Sequence, residues 1–169
     1  MTTMIDFHPG IQVGFERFAI DFLLGEKIPQ DKKKDLDIRL KLFDESCVDE
    51  ASKNGDRLWG NKITTEQISA LDECVVESNE NVGLHFLQKV IKSQKLIYIV
   101  RDGRHCVQSK MKRTDQSYEE ALARWKYSVE LLRDFEESKA NMHLCKYEDL
   151  LKDPEHELAK ICSFFGQGI

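Results

Sequence analysis

The sequence predicts an α/β fold built on a parallel sheet, and three observations predict it. Leu96-Ile97-Tyr98-Ile99-Val100 is continuously apolar and rich in β-formers, as in a strand buried on both faces of a parallel sheet. His143-Leu144-Cys145-Lys146-Tyr147 gives a second buried strand after a long amphipathic stretch. Strand, helix, helix, strand and helix then follow in order, which right-handed crossovers convert into parallel pairing.

Taken in order, the amino-terminal third reads as helical. Phe15, Phe18, Phe22 and Leu23 recur at helical spacing, and Gly25 and Pro29 punctuate its end. Asp31 to Asp56 is charged with sparse apolar residues (Leu36, Leu40, Leu42, Phe43) and reads as a solvated face. Trp59-Gly60-Asn61-Lys62 reads as a short strand end or turn, and Thr64-Thr65-Glu66-Gln67 as a capping box for a helix carrying Ile68, Leu71 and Val75. A short helix over 82–92 sets Leu84, Leu87 and Ile91 on one side.

Past the strand at 96–100 the pattern breaks at Arg101-Asp102-Gly103-Arg104, and a helix is expected to Arg113. Ser117 and Glu120 form a second capping box, opening a helix to Lys139 with the apolar stripe Ala121, Leu122, Trp125, Val129, Leu132 and Phe135. Asp153-Pro154-Glu155 supplies an N-cap, a proline at the first helical position and an acid in the first turn, with Gly166 as terminator.

The 169 residues fit one domain, and 41% hydrophobic with 33% charged residues excludes disordered and collagen-like chains. The net charge of -5 argues against a general nucleic-acid binder. Yet Lys89 to Arg113 holds eight basic residues (Lys89, Lys92, Lys95, Arg101, Arg104, Lys110, Lys112, Arg113) against Asp102, a local +7 that leaves -12 for the rest. Such an island suits a small, highly charged anion. No apolar run reaches the length of a membrane span and the first ten residues do not read as a signal peptide, so a cytoplasmic protein is expected. Five scattered cysteines (Cys47, Cys74, Cys106, Cys145, Cys162) without a C-x-x-C pair read as reduced thiols, with Cys106, Cys145 and Cys162 in the core, and no metal site is expected.

In an open parallel sheet, ligands bind beyond the carboxyl ends of the strands. Arg101 lies at such an end, where its guanidinium can grip a phosphate with paired hydrogen bonds. The following helix is expected to offer free backbone N–H groups and the positive end of its dipole. Ser109 and Arg113, four residues apart, project from one face of that helix. From the residues alone, either an oxyanion site or an exposed charged helix satisfies this pattern.

Residues 96–109, a hydrophobic strand running into Arg-Asp-x-Arg with a serine eight positions beyond the first arginine, resemble the 3′-phosphate-binding segment of the sulfotransferase family. That family uses 3′-phosphoadenosine 5′-phosphosulfate (PAPS) as sulfuryl donor. Arg113 matches a basic position of its protein-tyrosine branch. Leu144-Cys145-Lys146-Tyr147-Glu148-Asp149-Leu150 with Asp153-Pro154, and Ile161-Cys162-Ser163-Phe164-Phe165-Gly166, are similar to the family's later strand and helix. The resemblance implies a three-layer α/β fold with a central parallel sheet flanked by helices, of the P-loop-like kind. It implies that Arg101, Ser109, Arg113 and Tyr147 bind PAPS, while Glu148 and Asp149 satisfy nearby backbone donors.

Earlier in the chain the likeness is looser. His8-Pro9-Gly10 resembles the family's His-Pro segment, and Trp59-Gly60-Asn61-Lys62 its Trp-Gly-Asp-Lys segment. By position, Glu16 falls where the tyrosylprotein branch places its general base and Lys62 where a lysine assists transfer. His8 is expected to be structural and Trp125 to belong to the core rather than to stack on adenine.

The family's Gly-rich loop of the Pro-x-x-Gly-Thr-Thr kind, which cradles the 5′-phosphosulfate, has no counterpart in this sequence, and Thr2-Thr3 resembles the start of the helix after it. The expectation is therefore one partial sulfotransferase domain over 1–169, an internal piece or a late-start product. It would keep the 3′-phosphate half-site, hold the sulfuryl group poorly by itself, and self-associate through uncovered sheet. Function is expected to be sulfuryl transfer from PAPS to an unspecified acceptor hydroxyl or amine. The alternative is a catalytically inactive nucleotide-binding or interaction module of the same fold. A nucleotide kinase would need a Walker loop, which is absent.

Overall fold

The computed structural model describes residue 5 and residues 8–74, 81–91 and 94–167. Thr2, Thr3, Val75 and Lys92 lie outside the described residues. The chain divides into two compact units, Met1–Val90 and Ile91–Ile169.

The first unit is built on a parallel strand pair, β1 (Ile11–Phe15) and β2 (Leu58–Lys62), in the register Ile11↔Leu58 to Phe15↔Lys62. β1 corrects the helical reading of Phe15, Phe18 and Phe22. The i, i+3 spacing there is incidental: Phe15 ends a strand, Phe18 has a left-handed φ of 63°, and only Ala19–Leu23 coils, as a π-helical turn. Pairing with a segment more than forty residues away supplies the hydrogen bonds that a local helix would have made. Gly14 sits where β1 passes β2 closely, because a Cβ there would lie 2.8 Å from Arg17 Cγ and 3.2 Å from Trp59 Cζ2.

Helix α1 (Leu36–Ser52) is capped by the Asp35 side chain, which accepts from Ile38 N–H. It buries Leu36, Leu40 and Phe43, and Phe43 meets Phe86 at 6.2 Å. The charged stretch is thus more than a solvated face, since Arg39 is wholly buried. Its guanidinium donates to the backbone carbonyls of Phe22, Leu23 and Lys33 and pairs with Glu73 at 2.6 Å. One buried cation therefore ties the π turn, the loop before α1 and the Glu73 segment together; burial is tolerable because these oxygens replace water. The expected capping box opens α2 (Thr65–Ser69), which tightens into a 3-10 turn over Ala70–Cys74 with Ile68 and Leu71 buried. The helix expected over 82–92 is a short α3 (Val82–Phe86) followed by a π turn, Leu87–Ile91.

In the second unit, β3 (Leu96–Val100) and β4 (Met142–Lys146) pair in parallel, Leu96↔Met142 to Val100↔Lys146. Between them run α4 (Gly103–Thr114) and α5 (Tyr118–Glu137), and after them α6 (Tyr147–Lys152) and α7 (Pro154–Phe165). Alternate strand residues face opposite sides. On one side, Tyr98 is buried against α5, its hydroxyl donating to Ser128 O at 2.6 Å and its ring meeting Phe135 edge-on at 6.0 Å. On the other, His143 packs on Phe164 of α7 at 5.7 Å. Helices thus lie on both faces of the strand pair, giving three layers.

The expectation of strands buried throughout is corrected. Only Tyr98 of β3 and Cys145 of β4 are buried, and Ile99 is 41% exposed. Among the described residues the strands pair as two separate two-stranded sheets, so each strand has an edge that no neighbour in its own sheet covers. Tyr147 begins α6 rather than ending β4. On α5 the fully buried positions are Ala121, Leu131 and Phe135, with Leu122, Trp125, Val129 and Leu132 only half-buried. Cys106 is half-buried rather than core. Asp153 caps α7 through His156 N–H, and Gly166 ends it at φ 77°, both as expected.

Candidate cofactor-binding site

The end of β3 is the centre of the second unit's polar site. Arg101 is exposed, and its guanidinium lies over the ring of Tyr147, 4.9 Å from the centroid. Parallel register sets this up: Val100 is paired with Lys146, so the next residues of both strands emerge side by side. The Glu148 carboxylate accepts from Asp102 N–H at 3.0 Å, locking the turn after β3 to the start of α6. That bond and one from its own backbone N–H hold the Glu148 carboxyl below the usual range.

Asp102 corrects one expectation about α4. Its carboxylate accepts from Arg104 N–H at 3.0 Å and His105 N–H at 3.3 Å, while its carbonyl takes Cys106 N–H. The Arg104 side chain, followed by the backbone N–H groups of His105 and Arg104, holds the Asp102 carboxyl below its usual range. The helix amino-terminus is thus already capped, and an incoming anion must be held chiefly by side chains. Gly103 is needed because Trp125 lies against it: a Cβ would sit 2.6 Å from the indole. Trp125, half-buried, accordingly packs on the first residue of α4.

Ser109 and Arg113 share a face of α4 as expected, with Arg113 Nε donating to Ser109 O at 3.3 Å. Burial raises the Cys106 thiol, while Arg101 and Arg113 both oppose that rise, so the two guanidiniums act on one region. Burial, Arg124 and Arg113 together lower the Lys110 ammonium, which marks a crowded positive face. Among the described residues neither Arg101 nor Arg113 forms an ion pair within 4.0 Å. Exposed guanidiniums of this kind can take up an oxyanion, and the charge of Arg101 also reaches the nearby Glu148 carboxylate.

The first unit holds the other pair. Glu16 follows β1 with a left-handed φ of 53°, and its N–H donates to Lys62 O at 2.7 Å. The register partner of Phe15 is Lys62, which therefore reaches back: its Nζ donates to Glu16 Oε1 and lies 4.3 Å from the Phe15 ring centroid. Glu16 and Lys62 are each about a quarter exposed (25% and 28%). Glu16 Oε2 accepts from Gln67 Nε2 at 2.9 Å, a partner that sequence reasoning saw only as a cap. Asn61 braces the turn by accepting from Arg17 N–H and donating to Arg17 O. His8 Nδ1 accepts from Gly10 N–H at 3.1 Å, just ahead of β1.

The predicted residues thus fall into two groups, Arg101 with Tyr147, Ser109 and Arg113, and Glu16 with Lys62. No cluster of three or more metal-ligating side chains occurs among the described residues. Nor do they include a helix long and apolar enough to cross a membrane.

A parallel strand pair ending in an unpaired arginine, then a capped helix carrying a second, defines an α/β protein suited to an anionic ligand. The sequence model of the sulfotransferase family matches residues 3–168, and the chain belongs to that family. A solved structure, the sulfotransferase domain from the Synechococcus PCC 7002 olefin synthase, superposes with a TM-score of 0.59 at 19% identity. The match covers 89% of this chain and 53% of that one, so the chain spans about half the length of that relative. At this identity the likeness bears on the fold. Comparison with curated proteins returns no match.

Proposed function

We propose that this sulfotransferase-family chain uses PAPS as its donor, binding the 3′-phosphate through Arg101, Ser109, Arg113 and Tyr147. The observation that carries this reading is Arg101, an exposed guanidinium at the end of β3 with an aromatic face beneath it and no ion-pair partner among the described residues. PAPS supplies an activated sulfuryl group on its 5′-phosphate. In the first unit, Glu16 takes the proton of an acceptor hydroxyl or amine as the acceptor attacks sulfur, and Lys62 offsets the charge of the departing phosphate. The bond from sulfur to the phosphate oxygen breaks, leaving adenosine 3′,5′-bisphosphate and a sulfated acceptor.

The resting ion pair of Glu16 and Lys62 has a consequence for this scheme. Each group neutralises the other, so Lys62 must turn away from Glu16 to serve an anion. The test is single-turnover transfer of radiolabel from PAPS to tyrosyl peptide, sugar and amine acceptors. Wild type is expected to label at least one class, and Glu16→Gln to reduce that rate about a hundredfold while leaving bisphosphate binding intact. Bisphosphate binding with no transfer to any acceptor would favour the inactive nucleotide-binding module.

A further inference from the structure

Gln67 is 5% exposed, one of three buried polar or charged residues among those described. Both ends of its side-chain amide are committed. Its Oε1 accepts from Thr64 N–H at 2.9 Å, the reciprocal half of the capping box, and its Nε2 donates to Glu16 Oε2 at 2.9 Å. Capping needs only the acceptor oxygen, and a glutamate at this third helical position would supply it equally well. The amide matters for the second bond alone, because an ionised glutamate at 67 would have no donor to offer the Glu16 carboxylate.

We propose that Gln67 is the positioning residue for Glu16, fixing its carboxylate in the orientation that receives the acceptor's proton. This rests on the reading of Glu16 as proton acceptor. The two partners of that carboxylate differ in kind. Lys62 binds Oε1 as a cation and cancels its charge, whereas Gln67 binds Oε2 as a neutral donor and leaves the charge available. When Lys62 is drawn to an anion, Gln67 still holds the carboxylate. Glu16 has need of such a support, since its backbone already occupies a left-handed conformation that is unfavourable for a residue with a Cβ.

The test uses Gln67→Glu and Gln67→Met, with Leu71→Ala as a control that removes buried volume from the same segment and offers no donor to Glu16. Gln67→Glu keeps the cap but sets a second carboxylate against Glu16, so the pair retains a shared proton at neutral pH. Its kcat is expected to fall roughly tenfold or more at neutral pH with KM for PAPS within about twofold, and to recover as pH rises. Gln67→Met lowers kcat without that recovery, and Leu71→Ala lowers thermal stability while keeping kcat per folded molecule. A Gln67→Glu enzyme with the wild-type pH profile would overturn the proposal and leave Gln67 a cap.

A second readout does not depend on turnover. By NMR, the Gln67 side-chain amide resonance is expected to follow the acid titration of a carboxylate in the wild-type chain and to be flat in Glu16→Gln. A flat wild-type resonance overturns the positioning role. Full transfer by Glu16→Gln with a titrating Gln67 amide would instead overturn the reading of Glu16 as base, so the two failures are distinct.

Discussion

The guanidinium of Arg101 rests over the ring of Tyr147 at 4.9 Å, joining the first residue after β3 to the first residue after β4. Parallel register makes these residues neighbours, and the bond from Asp102 N–H to Glu148 ties the same two turns again. An exposed arginine side chain carries large rotamer entropy, which binding an anion would otherwise have to overcome. The aromatic face restrains it in advance.

Tyr147 is therefore expected to matter through its ring. Tyr147→Leu should weaken binding of adenosine 3′,5′-bisphosphate about two- to fivefold, the worth of an exposed cation–π contact, measured by calorimetry. Tyr147→Phe should stay close to wild type. A loss in the Phe variant equal to that in the Leu variant would assign the effect to the hydroxyl instead.

Gly103 is expected to tolerate no side chain, because the rigid indole of Trp125 occupies the space of a Cβ. Gly103→Ala should destabilise the fold by about 1–3 kcal/mol in urea unfolding, the usual range for overpacking. Adding Trp125→Leu should recover much of that loss. A Gly103→Ala chain as stable as wild type would contradict the contact.

Cys47 should contribute a pH dependence at the alkaline end. Burial pushes its thiol from 9.0 up to about 11, opposed in part by the Asn61 amide. The folded state thus keeps a proton that the unfolded chain releases. This contribution is present in full below pH 9.0 and is lost as pH rises through about 11. Unfolding midpoints across that window should fall more steeply for wild type than for Cys47→Ala, and parallel curves would contradict the assignment.

What could be read from the sequence was what local chemistry decides. The capping boxes at Thr64 and Ser117, the Asp153-Pro154 start and the Gly166 stop depend on neighbours within one turn, and each stands where its residues place it. β1 was hidden because Phe15, Phe18 and Phe22 imitate a helical stripe while the strand's hydrogen bonds come from Leu58–Lys62. The Glu16–Lys62 pair was reached through family resemblance, and its geometry depends on a register that spacing alone does not specify. Asp102 was visible as a residue before a helix, yet its consequence, a terminus with the N–H groups of Arg104 and His105 already taken, was not drawn from the pattern. Gln67 showed only its capping half, since the donor half points to a residue from a distant strand end.

The most direct test of the account is calorimetry of the chain with adenosine 3′,5′-bisphosphate, with ATP and with adenosine 5′-phosphate, repeated on Arg101→Ala. The account predicts preference for the 3′,5′-bisphosphate over both other nucleotides, and loss of that preference in Arg101→Ala with a drop in affinity on the order of tenfold or more. Equal binding of all three nucleotides, or an Arg101→Ala chain that binds as wild type does, would contradict it.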